Sequence, residues 1–409
     1  MQLNKDAADE DIVIVGAGLA GLATALGLHR KGVRSLVLES SPSLRASGFA
    51  FTTWKNAFRA LDALGVGDKI RKHHVPLQAL RIAPMSTGGV AQELDLTQQQ
   101  GKRGALEIRC VRRDLLLQAL EGELPRGTIR YSSRIVSIEE DGSTKILQLA
   151  DGSVLRAKVL VGCDGINSVV AKWLGLQKPS YSGRSAARGF AHYPDGHGFE
   201  PKFLQFVGHG FRSGMMPCSD TDIYWFFTWT PSDNDKGVDE SAAKMKQFVL
   251  AKLRGSNVPP EVLAVIDRSE MSDVLAAPLR FRSPLSLVGA SIGKGNVCVA
   301  GDALHPMTPD VGQGGCSALE DGVVLARCLG EAILGEGGAE DERIQAALRE
   351  YAGVRRWRSI QLIATAYTVG FFQQSDNAVV SFLREKLLSG VLAGTLLKMA
   401  DYDCGTLSN

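Results

Sequence analysis

Residues 11–21 read Asp11-Ile-Val-Ile-Val-Gly-Ala-Gly-Leu-Ala-Gly21. The first five are a short apolar run, the pattern of a parallel strand buried on both faces. The glycines follow at once, and then Leu19, Leu22, Ala23 and Leu26 fall at helical spacing. Arg30 and Lys31 sit where the helix should end, at the negative pole of its dipole, and Gly32 suits a left-handed stop. A second apolar strand, Val33 to Leu38, ends on Glu39. In such a unit Gly16 permits the tight turn, Gly18 lets a pyrophosphate approach the backbone, and Gly21 lets helix and strand pack closely. The free amides at the helix start, from Leu19 and Ala20 onward, hold phosphate charge. Glu39 stands where an acid hydrogen-bonds a ribose hydroxyl and would repel a 2′-phosphate. The unit predicts a dinucleotide site, and by itself it does not tell FAD from NAD.

Working outward, residues 11 to about 80 alternate strand and helix. Residues 81–103 are irregular or strand-like, with a turn expected at Gly88-Gly89. A strand over Leu106–Val111 and a helix from Arg112 to Leu120 come next. Thr128 to Leu149 reads as a hairpin turning at Asp141-Gly142. Ala157 to Val161 is a further buried strand ending in Gly162-Cys-Asp-Gly165. From residue 179 to about 290 the composition shifts to aromatic and β-branched strands, clearest at Phe203–Val207 and Ile223–Trp229, with a helix from about Glu240 to Leu253. The buried-strand pattern returns at Asn296–Ala300 and ends in Gly301-Asp302, and helix is expected from Cys316 onward.

A chain of 409 residues with a net charge of +2 can bury a large core and offers no electrostatic case for nucleic acid. The basic runs Lys69–His74 and Arg355–Arg358 read as solvated helix faces and ends. Seven scattered cysteines, none in a Cys-x-x-Cys pair, argue against a disulfide framework or a metal site and for a reducing compartment. The polar N-terminus lacks the apolar core of a secretory signal. The expectation is an intracellular, cytoplasmic protein, with import by a removed transit peptide left open. No apolar run reaches a membrane span. Gln361–Phe372 and Ser389–Ala400 come nearest, and packed terminal helices are preferred there over peripheral membrane contact.

Taken together, the motifs resemble those of the single-component FAD-dependent aromatic hydroxylases, the para-hydroxybenzoate hydroxylase-like (class A) monooxygenases. The similarity is greatest to the plant branch related to zeaxanthin epoxidase and salicylate hydroxylase. It is carried by Gly16-x-Gly-x-x-Gly21, Arg112-x-x-Leu115, Cys163-Asp-Gly165, Gly301-Asp-Ala-x-His-Pro306 and Pro309-x-x-Gly-Gln-Gly314. The segments Gly208–Gly214 and Tyr224–Trp229 extend it. The resemblance implies an α/β fold: a Rossmann-like FAD-binding domain, an inserted mixed β-sheet substrate domain and a C-terminal helical region. The expected boundaries are 10–80, 104–178 and 290–340 for the FAD-binding domain, 81–103 and 179–289 for the substrate domain, and 341–409 for the helical region.

By the same resemblance, Asp302 would bind the ribityl hydroxyls, Asp164 would support FAD and visiting NADH or NADPH, and Arg112 and Arg45 would reach the FAD. Pro309, Gly312, Gly314 and Gly315 would bring a helix start to the flavin's pyrimidine edge, where amides stabilise negative charge. One Gly-x-Gly-x-x-Gly unit, with no second, favours a class in which NAD(P)H has no domain of its own. The implied reaction is NAD(P)H- and O2-dependent hydroxylation of a small aromatic substrate through a flavin C4a-hydroperoxide. Epoxidation of an isoprenoid, and a flavin-binding regulator without turnover, stay open as alternatives. Phe206, Met215, Tyr224, Trp225 and Phe227 are the candidates for a lid over the flavin, and strand alternation points only about half of them at it. No proton-transfer residue stands out; Arg212, His209 and Tyr224 are the weak candidates, and His305 reads as structural.

Overall fold

The structure, a computed structural model, describes residues 8–44, 50–85, 89, 92–98, 100–101, 104–208, 210–235, 237–374 and 389–407. Two sheets organise it. The first centres on the strand Ala8–Val15, parallel to Val154–Gly162 on one side and to Leu36–Leu38 on the other. Ile12, Val13 and Ile14 are essentially inaccessible, as a strand covered on both faces requires. Val154–Gly162 serves two partners along one edge. Its first half takes the antiparallel strand Thr144–Leu149, and its last residues take the parallel strand Val297–Val299. The helix Leu19–Arg30 packs on this sheet and against the long helix Gly314–Leu334.

The expected hairpin over 128–149 is shorter than its alternation suggested. Only Ile135–Asp141 and Thr144–Leu149 form it. Ile129–Arg130 instead crosses to the far edge, parallel to Leu36–Leu38. Ser132, with φ of +52°, breaks the run, and the amides of Ser132 and Ser133 donate to Ser41 and Glu39 carbonyls.

The second sheet has seven strands in the order Val274–Phe281, Ser180–His192, Asp222–Trp229, Phe211–Pro217, Lys202–Gly208, Ala79–Pro84 and Gln92–Asp95. Only Lys202–Gly208 and Ala79–Pro84 run parallel; the rest are antiparallel, so the sheet is mixed. One face is covered by the helices Ala242–Arg254 and Pro260–Arg268, the second of which the sequence reading did not separate. The other face looks toward the first sheet, and the cavity lies there.

One long helix near the C-terminus bridges the two sheets. The 35-residue helix Glu340–Gln374 starts beside the first sheet, where the Tyr351 hydroxyl donates to the Val299 carbonyl at 3.0 Å. It ends against the second sheet, where Gln373 meets Arg212. Its basic run is not a solvated face. Arg355 is fully buried and Arg358 nearly so, in ion pairs with Glu320 and Asp321. No helix among the described residues is long and apolar enough to cross a membrane. Leu362, Ile363 and Ala366 of the segment Gln361–Phe372 are buried, while Tyr367 and Phe371 are exposed.

Candidate active site

Tertiary structure brings the three glycine motifs to one place. The Gly16 amide donates to the Leu38 carbonyl at 2.7 Å, and the Cys163 amide donates to the Val15 carbonyl at 2.8 Å. Gly16 has φ of +101°, and a Cβ there would stand 2.6 Å from the Cys163 carbonyl oxygen. A Cβ at Gly21 would fall 1.9 Å from the Gly16 oxygen. At Gly301 one would meet the Ala20 Cβ at 2.8 Å. The motifs are glycine-centred because their backbones touch one another.

Gly18 is the exception: a Cβ there would meet nothing within 4 Å. It faces a groove lined by Gly16, Ala17, Glu39, Arg113, Asp164 and Asn167 among others. The helix Leu19–Arg30 starts at this groove with no side-chain cap and no acid in its first turn. Its first amides, including those of the buried Leu19 and Ala20, have no partner within the helix, the arrangement that suits an anion. Glu39 braces the loop, accepting from the Ala17 amide at 2.9 Å and the Ser41 amide at 2.8 Å. Asp164 accepts from the Val169 amide at 2.7 Å and from the Ser168 hydroxyl, so it also caps a short helix. Burial raises its pKa.

Arg112 does not line this groove. Its guanidinium turns to Asp114 at 2.7 Å and Asp222 at 3.3 Å and lies over the Phe190 ring. The next residue, Arg113, lines it. Arg113-Asp-Leu-Leu116 has the same Arg-x-x-Leu spacing as Arg112-x-x-Leu115, so two overlapping matches were present in the sequence. Asp302 is exposed in the turn Gly301–Ala303, outside the linings of both the groove and the cavity. Arg45 and His209 lie outside the described residues.

The cavity, about 120 Å³, lies between the second sheet and two segments outside it. Phe51, Thr52 and Trp54 and the loop Pro309–Gly312 form one wall. Gly312, with φ of +62°, ends that loop just before the uncapped start of the helix Gly314–Leu334. Gly315 packs on the Phe51 ring, and Gly314 stands near Met307. The opposite wall is the sheet face, contributing Arg188, Phe203, Gln205, Arg212, Met216, Tyr224, Phe226 and Thr228.

Of the expected lid, only Tyr224 is on that wall. Phe206, Met215, Trp225 and Phe227 point the other way, into the core under the two covering helices. Alternation along each strand makes these sets exclusive, and the sequence alone does not say which parity faces the cavity.

Arg212 and Tyr224, two of the weak catalytic candidates, are both cavity residues. Burial pushes the Tyr224 phenol up to about 12. It is therefore a neutral hydrogen-bonding group at ordinary pH and not a base. Arg212 is almost wholly buried. It pairs with Asp310 at 3.4 Å, donates to Gln373 Oε1 at 2.5 Å and lies 5.0 Å over the Phe226 ring. Asp310 is shared with Arg184 in a bidentate pair at 3.0 and 2.7 Å. Burial alone would raise the Asp310 pKa, but Arg212 and Arg184 hold it below the usual carboxylate range. Arg184, Arg188, Trp54, Asp310 and Gln373 were not singled out from the sequence. Asp310 lay within a quoted motif, while the others carry no local signal.

His305 is structural, as expected: fully buried, with Nε2 2.6 Å from Asp321 and 3.2 Å from the Ser317 hydroxyl.

A parallel sheet with a glycine-rich phosphate groove, joined to an aromatic-walled cavity under a mixed sheet, defines a flavoprotein oxygenase. Residues 9–358 match the FAD binding domain family, and the chain belongs to it. The chain is 50% identical to "Monooxygenase 2" of Arabidopsis thaliana over 406 residues, covering 97% of this chain and 98% of that one. It is 27% identical to an FAD-dependent urate hydroxylase of Mycolicibacterium vanbaalenii over 362 residues, 87% and 86% of the two chains. Its fold superposes on Klebsiella pneumoniae HpxO complexed with FAD and uric acid, with a TM-score of 0.82 at 25% identity over 97% and 98% of the chains. The protein is a flavin-dependent monooxygenase with FAD as its cofactor.

Proposed function

We propose that the enzyme uses NADPH or NADH and O2 to hydroxylate a small aromatic ring bound in the cavity under the second sheet. The observation that carries this reading is the cavity itself. It is walled by Phe51, Trp54, Phe203, Tyr224 and Phe226, and bordered by a left-handed glycine loop at an uncapped helix start. An apolar cavity of ~150 Å³ holds a benzene-sized ring, so the observed space is of the single-ring order. That, with charged arginines on the wall, disfavours a long isoprenoid. The Arabidopsis and Mycolicibacterium relatives named as monooxygenase and urate hydroxylase support the same reaction class.

The residues fit FAD. The open space at Gly18 and the amides of Leu19, Ala20 and Gly21 suit the pyrophosphate, with Gly16 setting the turn. Glu39 suits the adenosine ribose, and Arg113 and Asp164 flank the same groove. Asp302 would serve the flavin-side hydroxyls, and the amides of Gly312, Gly314 and Gly315, following Pro309, the pyrimidine edge. Bound FAD supplies the electron transfer from NAD(P)H and the activation of dioxygen. The protein's part is to seat the ring between Tyr224, Phe226 and the Gly312 loop and to exclude water. Arg212, fixed by Asp310 and Gln373, orients what enters.

The test begins with the visible spectrum of the purified protein. A yellow protein releasing FAD at about one per chain is expected, and Glu39→Ala should weaken FAD retention. Phenols should then raise NAD(P)H consumption above peroxide release. If no ring substrate does so while FAD is bound, the hydroxylase reading fails and a flavin-binding regulator stands.

A further inference from the structure

We propose that Cys110 and Cys218 are a reversible redox site, at which hydrogen peroxide joins the two sulfurs as a disulfide and ties the two walls of the cavity together. Both thiols are free and buried, and their sulfurs stand 2.7 Å apart. The sulfurs of a disulfide are about 2.05 Å apart, so the bond needs little movement to form. The two residues are 108 positions apart in the chain, so the fold alone brings them together. Their backbones hold them there. Cys110 pairs with Thr52 between the strands Ile108–Arg112 and Ala50–Trp54. The Cys218 amide donates to the Asp222 carbonyl at 2.8 Å, and the Cys218 carbonyl accepts from the Val75 amide at 3.0 Å.

The pair spans the two sides of the cavity. Through its register with Thr52, Cys110 belongs to the wall that carries Phe51, Thr52 and Trp54. Cys218 directly follows the strand Phe211–Pro217, which carries Arg212 and Met216 on the opposite wall. These strands belong to different sheets, so no backbone ladder joins them. Beside the sulfurs the two walls meet without a covalent bond, where Thr52 Oγ1 stands 3.7 Å from Met216 Sδ. Both cysteines pack in one apolar cluster with Met216 and Tyr224 of the cavity lining. A disulfide at this point replaces a side-chain contact between the walls by a fixed link.

Burial, and the thiol beside it, raise the Cys110 pKa. The pair is therefore no ready thiolate, and its burial shuts out bulky disulfide reagents. Hydrogen peroxide is small and uncharged, and it is the by-product of a flavin oxygenase whose oxygen is not transferred; for this source alone the inference rests on the reading above. One sulfur attacks the peroxide: an S–O bond forms, the O–O bond breaks, and the thiol proton leaves with the departing hydroxide as water. The second sulfur then displaces the sulfenic oxygen, which also leaves as water. The two thiols give up two electrons and two protons, and the peroxide becomes two waters. Where thiols are otherwise kept reduced, such a disulfide is transient and acts as a sensor. Here it restrains the cavity when peroxide accumulates.

The test treats the FAD-loaded, fully reduced protein with hydrogen peroxide, then unfolds it and counts its thiols. The count should fall from seven to five, and dithiothreitol should restore it. A digest made without reductant should contain the Cys110 and Cys218 peptides joined to each other. The Tm should rise by several degrees, because the bond closes a loop between residues 108 positions apart. NAD(P)H consumption should fall on oxidation and recover on reduction. Cys218→Ala should lose no thiol under the same treatment, and Cys110→Ala makes the same check from the other strand. Seven thiols after peroxide, a cross-link between other cysteines, sulfinic acid at either position without a cross-link, or an unchanged Tm in the cross-linked protein would each overturn the proposal. The thiol count and the peptide map need no substrate, so a failure of the hydroxylase reading would show separately, in the turnover assay alone.

Discussion

Two buried charge clusters in this chain use the same residue types to different ends. Where the helices Gly314–Leu334 and Glu340–Gln374 cross, Glu320 and Asp321 face Arg355 and Arg358. All contacts fall between 2.5 and 3.2 Å, and Asn56, His305 and the Gly301 amide take the remaining lone pairs. Two carboxylates meet two guanidiniums, so the cluster is closed in charge, although Arg355 Nη1 is left without a hydrogen-bond partner among the described residues. At the cavity one carboxylate, Asp310, meets Arg184 and Arg212 with Arg188 beside them, and the excess opens onto empty space. Burying charge is tolerated when it is paired and hydrogen-bonded. The closed cluster is thus architecture, while the open one is finished only by what the cavity receives.

Removing one partner should separate the two most sharply. Arg355→Met strands two carboxylates with one guanidinium, and Asp310→Asn strands the two guanidiniums of Arg184 and Arg212. Each is expected to cost about 3–5 kcal/mol in urea unfolding. If either variant unfolds like wild type, its cluster is not the buried, paired network described.

Acid should dismantle the closed cluster next. Burial alone would raise the Asp321 pKa, but His305 and Arg355 hold it to about 2. Its unfolded value is about 3.9. A folded pKa below the unfolded one gives stability that is complete above about pH 4 and lost as pH falls through about 2. The loss is on the order of 2–3 kcal/mol. Asp321→Asn should flatten the stability profile in that window; an unchanged profile would assign the acid loss elsewhere.

Arg212→Met should cost less, about 1–2 kcal/mol, because the Asp310–Arg184 pair left behind is neutral. Its signature is functional: FAD stays bound and more of the NAD(P)H consumed ends as peroxide. Unchanged coupling would remove Arg212 from substrate orientation. Smallest of all, Arg188→Gln should move stability by no more than about 0.5 kcal/mol. A large destabilisation would mean that Arg188 has a structural partner and that the cavity cluster is closed after all.

The first sheet was largely legible in the sequence because its central strands announce themselves locally, while the edge strand Ile129–Arg130, read as part of a hairpin, did not. A run buried on both faces needs continuous apolar residues, and a turn touching another backbone needs glycine, so Ile12–Ile14 and Gly16 show regardless of what surrounds them. The helix bounds and the fold class followed from that. The cavity was legible only as a stretch rich in aromatics. Which alternate residues of Tyr224–Trp229 face inward depends on which side of the sheet the Ala242–Arg254 helix covers, and no single strand encodes that. Arg112 and Arg113 show the same limit at one residue's resolution, since the turn from strand to helix aims them in different directions.

By itself, then, the sequence determined the nucleotide-binding unit, the insertion of a second sheet and the family. These rest on short-range requirements of backbone geometry and burial. Tertiary structure alone decided that Gly16, Cys163 and Gly301 converge and that a C-terminal glutamine reaches Arg212. It also decided that one charge cluster closes while the other stays open. Contacts between residues more than a hundred positions apart are set by how sheets and helices pack, and side-chain charge balance exists only once those distances are fixed.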